Sequence, residues 1–209
     1  MDLRWEAFML RNRQDTFGWG TIVLHWAIAL LIVGLIILGY VMTRPDIDPE
    51  LQFSLYQWHK SFGMTALSLA FIRLIWWLSN IHPDPVASLS SLESRGASVT
   101  HALLLALTIA VPLAGWAIAS TSTLNIPTLF FNRLLIPHLP MEKSEAAETF
   151  WSDAHAWLAY GLAGLVALHA GAALLHHFWH RDVVLRRMLG IFRRGAASNA
   201  HQQPEGSDR

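Results

Sequence analysis

The stretch "WGTIVLHWAIALLIVGLIILGYVM", Trp19 to Met42, runs more than twenty residues without a formal charge. At a rise of ~1.5 Å per residue, a helix of that length covers the ~30 Å of a bilayer's hydrocarbon. Lipid offers no partner to backbone N–H and C=O groups, so a spanning segment must be a helix or part of a closed barrel. No two-residue alternation runs through it, which removes the barrel. The run is also too long for the apolar region of a cleavable leader, and more such runs follow it.

Those are "YQWHKSFGMTALSLAFIRLIWWL" (Tyr56 to Leu78), "HALLLALTIAVPLAGWAIAS" (His101 to Ser120) and a segment from about Phe150 to Trp179. A chain that is 53% hydrophobic and 14% charged suits this pattern. The sequence predicts an all-α integral membrane protein, one four-helix transmembrane bundle with spans near 19–42, 56–78, 101–120 and 150–179. Residues 1–18 read as a basic lead-in, and 181–209 as a basic tail, disordered after Gly195. Pro45 and Pro49 mark 43–50 as a loop. Serines and prolines mark 79–100 as another, with at most one helical turn. "IPTLFFNRLLIPHLP" (Ile126 to Pro140) reads as an aromatic segment lying in the interface over one end of the bundle.

Charge orients the bundle. Arg4, Arg11 and Arg13 precede the first span, and Arg181, Arg186, Arg187, Arg193 and Arg194 follow the fourth. In the first and third connections Arg44, Lys60, Arg133 and Lys143 are outnumbered by Asp46, Asp48, Glu50, Glu142, Glu145, Glu148 and Asp153. By the positive-inside rule both termini are cytoplasmic. Lipid is the obvious partner, and a net charge of zero gives no sign of nucleic acid.

Histidines are expensive in lipid, and here they sort by depth. With the termini inside, His25 and His169 lie towards the inner face, His59 and His155 towards the outer. His155 and His169 are fourteen residues apart, which is ~21 Å of helix and a return to within ~40° of the same direction. The same spacing links His59 to Arg73 and His25 to Gly39. A lone membrane histidine is ordinarily an interhelical hydrogen bonder, whereas four in two depth-matched pairs suggest two cofactors, each iron clasped between imidazoles of different helices. With no cysteine in the chain, c-type attachment and disulfides are excluded, so such haems are b-type. Arg73 is placed for a haem propionate, or for snorkelling to the inner interface. His176, two turns past His169 on nearly the same face, is an equally allowed inner ligand by spacing. A haem-free, histidine-lined metal or proton transporter is the alternative from another class.

"LHW" (Leu24 to Trp26), His59 with Arg73, "VPLAG" (Val111 to Gly115), His155, "LHA" (Leu168 to Ala170) and "LLHHFWHRD" (Leu174 to Asp182) together resemble the bacterial cytochrome b561 family. These are four-helix di-haem proteins of the bacterial inner membrane. The resemblance covers about Phe17 to Met188. It implies that His25 and His169 hold the inner haem, and His59 and His155 the outer. It also implies that His101 and His176 suit an inner quinone site. At "FWHRD" the family carries an aromatic residue where this chain has His180. The family's activity implies electron transfer between the periplasmic side and ubiquinone, including oxidation of superoxide, towards which Lys60 and Arg133 could steer a small anion. The other redox expectation is a membrane subunit exchanging electrons with a separate dehydrogenase or hydrogenase.

Overall fold

The computed structural model describes residues 10–84, 90–181 and 183–191. Four long helices, Trp19–Met42 (α1), Pro49–Ser79 (α2), Ser91–Thr121 (α3) and Glu145–Leu175 (α4), are each long and apolar enough to cross a membrane. A five-residue π-helical turn, His176–His180, extends α4, and a short helix, Val184–Met188 (α5), follows. The tail expected to be disordered after Gly195 lies outside the described residues.

Three helices begin earlier than the apolar runs do, because polar caps start them. Asp48 accepts hydrogen bonds from the backbone of Glu50 and Leu51, both at 3.1 Å. Pro49, expected to belong to a loop, takes the first helical position of α2, where its missing N–H costs nothing. Ser90 and Glu93 form a reciprocal capping box, so the second half of the expected loop 79–100 is helix. Ser144 caps α4 through Ala147 N–H at 3.2 Å. Pro112 sits inside α3 without ending it.

α1 packs on α2, α2 on α3, and α3 on α4, while direct packing between α1 and α4 is slight. The bundle is therefore loosely closed along one seam. Its core is tiered at a spacing of seven residues: Ile32 follows His25, Ala66 follows His59, and Leu162 follows His155, each by seven. These three are 5%, 1% and 2% exposed and belong to one apolar cluster with Ile28. Large apolar side chains such as Leu30, Trp157 and Tyr160 face outwards, the arrangement expected when lipid is the solvent.

Each end of the bundle is tied off. At the end where α1 begins and α4 finishes, here the terminal end, Trp76 Nε1 donates to Thr21 Oγ1 at 2.9 Å, and Thr21 donates to Asn12 Oδ1 at 2.6 Å. Asn12 Nδ2 donates to the Ile81 carbonyl at 3.0 Å, and Trp26 Nε1 to that of Met188 at 2.8 Å. At the opposite end, the segment expected to lie flat in the interface contains a small antiparallel hairpin, Thr128–Phe130 (β1) with Leu134–Ile136 (β2). It rests on α2 through Ser61. The Ser61 hydroxyl accepts from Phe131 N–H at 3.0 Å and shares its proton between the carbonyls of Gln57 at 2.9 Å and Leu129 at 3.2 Å.

Candidate functional site: two tiers of histidines

The helices bring the four histidines together in the expected combinations. His25 of α1 faces His169 of α4 with ring centroids 6.2 Å apart and planes crossed at 68°. His59 of α2 faces His155 of α4, also at 6.2 Å, with planes at 79°. Spacing left His176 open as the partner of His25; the ring that faces His25 is His169. His176 instead lies 5.0 Å from His180 across the π-helical turn, within electrostatic reach of Glu93 at the start of α3.

The tier nearer the start of α1 holds two further groups. His101 of α3 approaches His169 at 5.2 Å. The Arg73 guanidinium lies within electrostatic reach of His25, His101 and His169. Among the described residues no aspartate or glutamate pairs with it. Arg73 thus sits at the depth that its fourteen-residue spacing from His59 implied.

The hairpin-end tier has its own surroundings. Gly39 of α1 borders it: a Cβ there would come 3.4 Å from His59 Cε1. Gly115 of α3 borders the other ring, where a Cβ would come 3.2 Å from His155 Cε1 and 3.3 Å from Nδ1. His155 Nδ1 lies 2.9 Å from the Val111 carbonyl oxygen. Lys60 Nζ donates to the Pro127 carbonyl at 3.4 Å, at the root of the hairpin, and Arg133 is exposed at its tip. Both cations are at this end, without touching each other. Reasoning from the sequence missed the Val111 carbonyl and Ser61. The only signal for the first was "VPLAG", whose glycine falls one turn after Val111.

This arrangement has a definite chemical capacity. Two imidazoles sharing one first-row metal at about 2.0 Å per nitrogen hold their centroids roughly 6 Å apart, the separation both pairs already have. The buried Nδ1 atoms of His25 and His59 have no protein partner. Among the described residues no group of three or more His, Asp or Glu side chains is arranged to hold a metal ion. A bare ion would find two protein ligands, whereas a planar tetradentate macrocycle supplies the other four.

Four apolar helices carrying paired imidazoles at two depths define a multi-pass membrane electron-transfer protein. The chain belongs to the prokaryotic cytochrome b561 family, whose profile matches residues 16–190. That membership brings haem b binding with it. The chain is 27% identical to cytochrome b561 homolog 2 of Escherichia coli over 86% of its own length and 94% of the relative's. It is 31% identical to cytochrome b561 homolog 1 of the same organism, over 63% and 72% of the two chains. A probable superoxide oxidase of Yersinia pestis is 30% identical over 79% and 91%.

Proposed function

We propose that the chain binds two haems b, one between His25 and His169 and one between His59 and His155. In this reading it carries electrons across the membrane from superoxide at the hairpin end to ubiquinone at the terminal end. The observation that carries it is the repetition of one imidazole–imidazole distance, 6.2 Å, at two depths. When bound, each haem supplies a one-electron carrier. The protein's own residues do the rest.

The four histidines fix the two carriers at separate depths, and the Ile32–Ala66–Leu162 layer excludes water between them. Arg73 offers a planar pair of donors to a propionate in the terminal tier. The basic flanks of the first and fourth spans favour a cytoplasmic terminal end and a periplasmic hairpin end. Lys60 and Arg133 raise the local concentration of a small anion there. Each superoxide gives up one electron and leaves as dioxygen. A quinone takes two electrons and two protons, so two superoxides serve each quinol. His101 and His176 hydrogen-bond the quinone and pass protons to it. The name of the Yersinia relative, a probable superoxide oxidase, supports superoxide as the donor.

The test is to supply superoxide, with and without a soluble quinone analogue, to purified protein and follow the haem absorption. Two haems per chain, reduced by superoxide and reoxidised by quinone, are expected. One haem or none, or haems that superoxide leaves oxidised, would overturn the proposal. A subunit that serves only a protein partner gives the last of these results.

A further inference from the structure

Among the described residues, His155 is the one of the four facing histidines whose ring nitrogen meets a backbone acceptor, and the local geometry shows how it reaches that acceptor. A carbonyl oxygen only accepts, so at 2.9 Å from Val111 O the proton is on His155 Nδ1. In the neutral ring Nε2 then carries the lone pair. The ring lies against the backbone of α3 because Gly115, one turn after Val111, has no side chain. An added Cβ would stand 3.2 and 3.3 Å from ring atoms Cε1 and Nδ1, closer than such contacts normally run. The matching glycine on the other side, Gly39, is at ordinary contact distance from His59, at 3.4 Å. The Nδ1 atoms of His59 and His25 are buried without any protein acceptor.

We propose that the Val111–Gly115 turn of α3 is the positioning element for the hairpin-end haem. The Val111 carbonyl fixes the tautomer and rotation of His155, and the bare Gly115 backbone admits the ring. This inference rests on the reading that His155 is an axial ligand. An Nδ1–H that donates to a carbonyl makes Nε2 a stronger base, as an acceptor behind a ligating imidazole generally does. A more basic ligand favours the ferric ion. The two haems are therefore tuned differently by the protein: the one at His155 is drawn towards the oxidised state by this bond, and the one between His25 and His169 has no equivalent among the described residues.

Gly115→Ala tests the element in the haem-loaded protein, with Gly34→Ala, whose added Cβ meets nothing within 4 Å, as the control. The expected result is two haems retained and one redox midpoint raised. The shift should be about tenfold towards the ferrous form, ~59 mV for a one-electron couple, with a changed low-temperature ferric EPR signal for that haem alone. Gly34→Ala should leave both midpoints in place. Unchanged midpoints and EPR in Gly115→Ala, or a shift on the other haem, would overturn the inference.

Two further measurements separate the possible failures. His155→Ala should lose one haem; if it keeps both, the ligand reading fails and this inference falls with it. If His155→Ala loses one haem while Gly115→Ala behaves as wild type, only the positioning role is wrong. In wild-type ferrous protein, with 15N-histidine and 13C-carbonyl valine, one imidazole Nδ1 should show scalar coupling to the Val111 carbonyl. That measurement stands even if Gly115→Ala fails to assemble, and the absence of the coupling in haem-loaded protein would overturn the proposal.

Discussion

Ala66 of α2 and Leu162 of α4 share one buried apolar cluster, each seven residues past a histidine of the hairpin-end tier. Seven residues are nearly two helical turns, so each side chain points as its histidine does but about 10 Å deeper. With Ile32 they form an apolar septum between the tiers. Leu162 is the one residue of α4 that is buried, so it carries much of that helix's packing on the rest of the bundle. Leu162→Ala should destabilise the protein by about 2–5 kcal/mol, the usual cost of emptying a buried leucine site. Thermal unfolding in detergent, read with haem retention, measures it. A melting temperature equal to wild type would show that the tiers are held apart by something else.

Ser61 joins the hairpin to α2 with one hydroxyl. Removing it strands Phe131 N–H, which it satisfies at 3.0 Å, together with a share of the Leu129 carbonyl's bonding. Leaving a buried donor unpaired costs about 1–3 kcal/mol. Ser61→Ala should therefore loosen residues 128–136 without unfolding the helices. Hydrogen exchange should speed up at Phe131 and through the hairpin while α3 and α4 stay protected. Uniform exchange across the chain would mean that the hairpin is anchored by its aromatic contacts instead, such as Phe131 against Phe62 at 5.3 Å.

The spans and the histidine tiers were legible in the sequence because both follow from local helical geometry. An uninterrupted apolar run fixes depth, and fourteen residues nearly complete four turns, so His155 and His169 must share a face. Helix starts were harder: Asp48, Ser90 and Ser144 begin helices outside the apolar runs, and an apolar window does not register caps. Pro49 looked like a breaker because proline stops a helix that precedes it and starts one that follows. The hairpin was invisible, since its strands are three residues each and are held by a serine from another helix. Least legible was the acceptor for His155, because a backbone carbonyl has no letter of its own.

Lys60 is held at the root of the hairpin by the Pro127 carbonyl, next in sequence to His59. If it steers superoxide, its effect must be electrostatic and must fade with salt. Lys60→Glu should lower the rate of haem reduction by superoxide roughly tenfold at low ionic strength. The gap should close near 1 M salt, where the screening length is about 3 Å. Stopped-flow reduction at several salt concentrations measures this, with the haem spectrum as a check that His59 is undisturbed. Equal rates at low salt would remove Lys60 from the approach path.

Arg73 presents the sharpest electrostatic demand in the bundle. It is half-buried among apolar helices, reaches the fields of His25, His101 and His169, and has no anionic protein partner among the described residues. A cation so placed needs a negative group from elsewhere, and a haem carboxylate answers in kind. Its positive charge also favours the ferrous over the ferric ion, since reduction removes one positive charge from the neighbourhood. Arg73→Gln keeps much of the volume and removes the charge. The midpoint of the haem proposed between His25 and His169 should fall by about tenfold in equilibrium, ~59 mV, and that haem should be lost more readily in detergent. Arg73→Lys should restore part of the potential but less of the retention, because an ammonium cannot engage a carboxylate in two parallel bonds. Potentiometric titration followed in the haem absorption resolves the two centres. If both midpoints survive Arg73→Gln unchanged, the guanidinium turns to the membrane interface instead, and the anionic partner must be sought elsewhere.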